Sequence, residues 1–298
     1  MRVPFSPYPL GEFLPMVWRR FTPPPPPPEP LTHDLVLDDA APAFWIGLVG
    51  DVCPLFGRDA VFGPGVHAFF ADCAHMVGNF EGILSDKPWR PFLMKHDAGI
   101  FDVLAELHSL DGWTLSLANN HAADFGPEDL GRTIQALERR GIRWLGTRER
   151  PRITLRAGIT LTTWTWWSNR PTEAVAQQDP GAPERPGLHI AYPHWGYEHE
   201  RTPRPTQALP EGYALTAGHH THLPQPFAPT TDGRLVAWSL GNFITGKRLR
   251  VLGEGLLLKI GVAPDARGVP RIVRASTRPI DLDRSDARYC RVTLHPDR

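Results

Sequence analysis

The sequence is poor in cysteine, in lysine and in long apolar runs, and each shortage removes a class of protein. Its 298 residues hold three cysteines, Cys53, Cys73 and Cys290, no two of them close together. That number and spacing exclude a disulfide framework and a zinc ribbon, and fit a reducing compartment. Lysine stands only at Lys87, Lys95, Lys247 and Lys259, yet Lys+Arg and Asp+Glu are both 32 and the formal net charge is zero. A nucleic-acid binder usually carries a basic excess, so nucleic acid is not an expected partner. No segment reaches the roughly 18 consecutive apolar residues of a membrane-spanning helix. Residues 1–4 and the prolines that recur after them leave no continuous signal-peptide core. A cytoplasmic protein without a membrane span is expected.

Proline, by contrast, is abundant, with 33 residues beside 27 glycines. Residues 1–43 read as a proline-rich N-terminal arm, with proline at every position of 23–28. Such a run is a stiff polyproline II segment. It is either a ligand for the aromatic groove of a protein partner, or a spacer or an arm that wraps its own domain, and the second is the simpler reading. Phe13, Met16, Val17, Trp18 and Phe21 precede the run and predict a short apolar element that docks on the body.

Residues 44–298 read as one α/β domain. Short apolar runs at 44–49, 75–80, 114–118 and 142–145 predict buried strands, and the spacing of apolar residues predicts helices over 97–108 and 127–140. Pro127 opens the second helix and Gly141 follows it. The rest is β-rich, with strands expected at 160–167, 188–192, 213–217, 235–240, 255–262 and 270–279. Strand after strand ends in Asp, Glu, Asn or His. In α/β sheets ligands bind at the carboxyl ends of strands, so one site can collect these groups from distant positions.

The residues so collected are Asp51, Glu81, Asn120, His121, His194, His220 and His222. Singly each is weak, because Asp after Gly makes turns and a lone His is usually structural. Together they mix carboxylate, amide oxygen and imidazole, a set that suits a divalent Mn, Fe or Zn ion. His220 and His222 form an H-x-H pair, which on an extended strand exit puts both rings on one side. Glu198, His219, Asn242, Arg90 and Lys95 are further candidates for contact with an anionic substrate or with the outer side of the site. Solvated loop charges and turn residues are the plainer reading of them.

These blocks resemble a known family. Gly50-Asp51, Asn79-Phe80-Glu81, Asn119-Asn120-His121-Ala122-Ala123-Asp124, His194-Trp195-Gly196-Tyr197-Glu198, Gly218-His219-His220-Thr221-His222 and Ser239-Leu240-Gly241-Asn242-Phe243 occur in that order. They resemble the CapA family of capsule or poly-γ-glutamate biosynthesis proteins, within the calcineurin-like metallophosphoesterase superfamily. The resemblance implies a four-layer α/β/β/α sandwich with a metal site at the C-terminal ends of strands. It implies one or two divalent ions held by Asp51, Glu81, Asn120, His194, His220 and His222, with Glu81 bridging. It implies catalytic roles for His121 as proton donor and Asp124 as the carboxylate that orients it. Where the superfamily has a histidine at the first strand this chain has Cys53, read here as a small buried hydrophobe. Where relatives place a helix, residues 209–212 leave room only for a turn.

The function implied is a metal-dependent hydrolase, in which metal-bound hydroxide attacks a phosphoester or a γ-glutamyl amide. The alternative is a non-catalytic metal-containing accessory protein for polyglutamate-type polymer biosynthesis. His121 beside Asn120 favours the enzyme, since a structural metal needs no proton donor.

Overall fold

A computed structural model describes residues 6–28 and 30–296; residues 1–4 and Glu29, read above from sequence, lie outside the described residues. The arm contains helix α1 (Leu10–Phe21), which buries Met16 and leaves Leu14, Trp18 and Phe21 exposed. The proline run lies against the body, where Arg201 Nε donates to the Pro25 carbonyl at 3.1 Å. Strand β1 (His33–Val36) follows. Then come β2 (Phe44–Val52), β3 (Asp59–Phe62), α2 (Pro64–Phe70) and β4 (Cys73–Phe80). The short pair β5 (Ile83–Leu84) and β6 (Lys95–His96) leads to α3 (Ile100–Leu107), β7 (Trp113–Ser116), α4 (Pro127–Glu138) and β8 (Arg143–Leu145).

The second half runs through β9 (Arg152–Arg156), β10 (Ile159–Thr162), β11 (Leu188–Ala191), β12 (Leu215–Ala217), β13 (Phe227–Pro229) and β14 (Leu235–Ala237). It returns to the first sheet with β15 (Asn242–Ile244), β16 (Glu254–Pro264), β17 (Pro270–Asp283) and β18 (Tyr289–Leu294).

Two sheets result. The first is ordered β3-β18-β17-β16-β2-β4-β7-β8, with β1 on β17 and β15 on β2. Its β2-β4-β7-β8 half is parallel. The second is ordered β13-β14-β12-β11-β10-β9, with antiparallel edges on a parallel centre.

Strand β2 shows why the sheets stack. It is covered on both faces, so its apolar residues run on rather than alternate with polar ones. Ile46 and Leu48 enter the core between the sheets with Leu161, Ile190 and Leu215 of the second sheet. Val49 and Val52 enter a separate core with Phe70 of α2, Leu104 of α3 and Leu137 of α4. The layering is helix, sheet, sheet. Over the outer face of the second sheet lies loop, among the described residues: Arg185 Nη2 donates to Thr160 Oγ1 at 3.2 Å and Tyr213 donates to Asp179 at 2.8 Å. Pro171, Pro180, Pro183 and Pro186 keep that covering segment from becoming a helix.

The strand expected over 160–167 stops at Thr162. Threonine hydroxyls compete with the ladder there: Thr163 Oγ1 donates to the Tyr192 carbonyl at 2.6 Å and Thr165 Oγ1 to that of Trp167 at 2.8 Å. The chain then turns Trp167 toward the strand ends.

Strand β6 carries a pH-sensitive packing element. His96 is buried with its ring stacked on Phe80, 3.9 Å between centroids. Burial lowers its pKa from 6.5 to about 3. The unfolded chain therefore takes up this proton below pH 6.5 while the folded chain does not, and stability falls as pH falls from 6.5 toward 3. His96→Phe should flatten that slope in chelator-treated protein, by roughly 2 kcal/mol between pH 6.5 and 4.5. Urea unfolding of both chains at the two pH values measures it, and parallel losses would contradict it.

Candidate metal centre

The parallel strands point their C-terminal ends to one place. Asp51 comes from β2, Glu81 directly follows β4, and Asn120 and His121 follow β7. His194 follows β11, and His219, His220 and His222 follow β12. Asn242 opens β15, in register with Asp51. That register depends on Gly50, since a Cβ there would lie 1.9 Å from the Gly241 carbonyl oxygen. The glycine before Asp51 thus lets the 239–243 loop press on the strand that carries the carboxylate.

Around Asp51, Asn79 Nδ2 donates to Oδ1 at 2.8 Å and the His220 backbone N–H donates to Oδ2 at 3.0 Å. His219 Nδ1 lies 3.3 Å from Oδ1 and His222 Nδ1 lies 3.3 Å from Oδ2. His194 Nε2 stands 2.9 Å from Asn120 Oδ1 and 4.0 Å from Glu81 Oε1. Cys53 Sγ–H donates to Glu81 Oε2 at 3.1 Å, and Asn242 Oδ1 is 3.0 Å from His222 Nδ1. Among the described residues, three groups have ligand atoms within 4.8 Å of one another: Asp51-His194-His219, Cys53-Glu81-His222 and Glu81-His194-His220. Glu81 is common to two of them, and all these side chains are buried.

Charge is unevenly held. Burial alone would raise the Asp51 pKa, but hydrogen bonds from His219 and His222, with charge from His219, outweigh it and hold the carboxyl well below its usual range. Burial raises Glu81, with Asp51 adding to the rise and His222 opposing it. Burial pushes His194 and His220 well below the usual imidazole value, with neighbouring histidines adding to the effect. Both rings therefore offer lone pairs at neutral pH. Burial pulls His222 down too, but Glu81 and Asp51 outweigh it and raise it to about 9. Cys53 is pushed well above its usual value by burial and then by Glu81 and Asp51, so its thiol stays a donor.

This donor set fits a metal ion. Glu81 Oε1, His219 Nε2 and His220 Nδ1 are buried with no hydrogen-bond partner, a costly arrangement for polar atoms unless something binds them. Carboxylate, amide oxygen and neutral imidazole together suit a borderline divalent cation, so the cluster could hold one.

His121 sits at the edge, outside all three groups. Its Nδ1 lies 2.6 Å from Asp124 Oδ2, which also accepts the Met94 N–H at 2.8 Å. Asn169 reaches the same ring, with Nδ2 3.0 Å from Nδ1, and its Oδ1 accepts from Asn120 Nδ2 at 3.2 Å. A cavity of about 290 Å³ opens here, lined by Asn120, His121, Asn169, Glu198, His222 and Lys247, among others.

The Bacterial capsule synthesis protein PGA_cap family model matches residues 38–163 and 163–247. The chain belongs to this family. PGA_cap proteins fall within the metallophosphoesterase-like superfamily, and the layered α/β fold described above agrees with that placement. A Capsule biosynthesis protein CapA of Bacillus anthracis is 24% identical over 235 residues, 66% of this chain and 56% of that protein. A PGA biosynthesis protein CapA of Bacillus subtilis (strain 168) is 22% identical over 285 residues, 82% of this chain and 72% of that protein. The chain thus spans little more than half the length of the first of these relatives.

The PGA_cap match contains every metal-ligand candidate, from Asp51 to His222. Several surrounding expectations change. His220 and His222 do not lie on an extended strand exit: their φ values are 94° and 60°, in the left-handed region. The rings consequently serve different groups, His220 with Glu81 and His194, His222 with Cys53 and Glu81. Such strained non-glycine backbone is typical of functional sites. His219 points inward to Asp51 rather than outward. Cys53 stands in one of the three groups, its Sγ–H donating to Glu81 Oε2, rather than only packing. Lys95 turns away, donating to the Ser85 and Lys87 carbonyls at 3.1 and 2.7 Å. Arg90 lines a separate cavity of about 200 Å³ on the far side of Asp124. Glu198 contributes its backbone N–H to Tyr8, and its carboxylate lies 3.8 Å from His199 Nε2. Asn242 ties loops together through Nδ2 to the His222 and Leu252 carbonyls while touching the His222 ring.

Asn79, Asn169 and Tyr8 were not singled out as site residues from sequence. Asn79 stands in the Asn79-Phe80-Glu81 block, and its position one pleat before Glu81 is the available signal. Asn169 and Tyr8 arrive from irregular segments, where no spacing rule applies.

Proposed function

We propose that this chain is a metal-dependent hydrolase that cleaves a phosphoester of an anionic substrate. The observation that carries the reading is His121: an imidazole held by a buried carboxylate, at the mouth of a cavity, beside a ligand cluster to which it does not belong. A metal site with a structural role alone has no use for such a residue. Asp51, Glu81, Asn120, His194, His220 and His222 would hold one or two ions of Mn, Fe or Zn. Bound there, a divalent ion supplies Lewis acidity, acidifying water and neutralising charge on phosphoryl oxygens.

The chain's own residues do the rest. Asp124 takes the hydrogen bond from His121 Nδ1 and stabilises the imidazolium, so that Nε2 can give its proton to the leaving oxygen. Asn169 braces Asn120, its Oδ1 accepting from Asn120 Nδ2. The Cys53 thiol fixes the orientation of Glu81. Lys247 and Arg20 on the cavity wall favour an anion. A γ-glutamyl amide is the second substrate class, since the same arrangement suits an acyl carbon flanked by carboxylates.

One observation favours a second reading, an accessory role in polymer biosynthesis without turnover: the names of both relatives refer to capsule or PGA biosynthesis. Three free, buried thiols support a reducing compartment such as the cytoplasm as the place of action. Among the described residues no helix is long and apolar enough to cross a membrane.

The test is hydrolysis of chromogenic phosphomonoesters, phosphodiesters and γ-glutamyl amides by metal-loaded chain. Turnover should vanish on chelation and return on adding back Mn, Fe or Zn. Metal bound tightly with no turnover of any of these would favour the accessory role.

A further inference from the structure

The N-terminal arm reaches the metal centre. Tyr8 lies outside residues 38–247, the span of the family match, and is fully buried. Its phenol oxygen stands 2.6 Å from His220 Nε2 and accepts the Glu198 backbone N–H at 3.0 Å. The ring is set edge-on to Trp167, with centroids 4.7 Å apart, and is stacked with Tyr197 at 6.0 Å. The segment is clamped from outside. Arg204 holds both carboxylate oxygens of Glu12, at 2.9 and 2.6 Å, and Arg19 pairs with Glu200 at 3.1 Å. The bidentate pair is the stronger type of ion pair.

A neutral imidazole has one nitrogen that donates and one that accepts. In His220 the nitrogen facing Tyr8 is Nε2, and the one without a partner is Nδ1. If Nε2 carries the proton and gives it to the phenol oxygen, Nδ1 keeps its lone pair for the group formed with Glu81 and His194. If the phenol donates instead, Nδ1 must carry the proton and His220 cannot ligate. We propose that Tyr8 is a positioning residue of the metal centre: its oxygen accepts from His220 Nε2–H and so holds the tautomer that ligates. The arm is then part of the site rather than a spacer. The proposal rests on the metal-centre reading above.

The test is Zn(II) affinity by chelator competition, together with the visible spectrum of the Co(II) form, for the full chain and Tyr8→Phe. The variant keeps the ring between Trp167 and Tyr197 and removes only the oxygen. Partners of ligating histidines typically set affinity by about 10–100-fold, so the Zn(II) dissociation constant should rise by that factor and the Co(II) bands should shift. Equal affinity and an unchanged spectrum in a Tyr8→Phe chain that folds would overturn the proposal and leave the metal centre standing. Failure of the unaltered chain to bind Zn(II) or Co(II) would overturn both. A second measurement needs no variant: nitrogen NMR of the Zn(II)-loaded chain should show His220 protonated at Nε2 and bound at Nδ1. The opposite tautomer would overturn the proposal.

Discussion

His121→Ala should lower turnover by about 10²–10⁴-fold, the usual contribution of a positioned acid or base, while the metal content stays at the level of the unaltered chain. His121 can be removed without touching the ligand cluster, because its ring belongs to none of the three groups and its contacts run to Asp124 and Asn169. The loss should fall on kcat rather than KM, since proton donation matters at bond breaking and not at binding. Asp124→Asn should give a smaller loss in the same direction: the amide still meets the ring but no longer stabilises its positive form. Steady-state kinetics on the best substrate, with elemental analysis of the same samples, measures both. Turnover within threefold of the parent, with metal bound, would remove His121 from the chemistry.

His194→Ala should strip the centre. This imidazole stands in two of the three groups and meets Asn120 Oδ1 at 2.9 Å and His219 Nδ1 at 2.8 Å. On the proposed ligand set this change removes a ligand outright, so affinity should fall by more than the roughly 10–100-fold that an outer partner costs. Activity should fall with it. The fold should also weaken by roughly 1–3 kcal/mol, because buried polar neighbours lose a partner. Zn(II) competition and thermal unfolding of the metal-free forms separate the two effects. A variant that binds metal like the parent would move the ligand set elsewhere.

The positions of the site were largely legible because they sit where strands stop. The apolar run before Asp51 and the blocks around Glu81, Asn120, His194 and His220 each mark a strand end, and parallel pairing brings such ends together. The side chains' partners were less legible. His219 turning onto Asp51, or the His220 and His222 rings separating into different groups, follows from left-handed backbone that no spacing rule encodes. Helix α1 was legible only as an apolar docking element, since Pro15 inside it argues against a helix. Strands β9 and β18 alternate apolar residues with arginine and other polar residues on sheet edges or outer faces, a weak signal beside the buried β2. Lys95 and Arg90 looked like anion contacts because of their charge, but backbone carbonyls captured the one and the far side of Asp124 the other. Asn169 and Tyr8 came from loop and arm, where position depends on tertiary contacts alone.

The central claim is that the buried cluster is a metal centre. Elemental analysis of the full chain, purified without chelator and without added metal, tests it most directly. Between one and two ions of Mn, Fe or Zn per chain is the expected result, with the count falling in His194→Ala and holding in His121→Ala. No ion in the purified chain, and none taken up on exposure to these three metals, would contradict it.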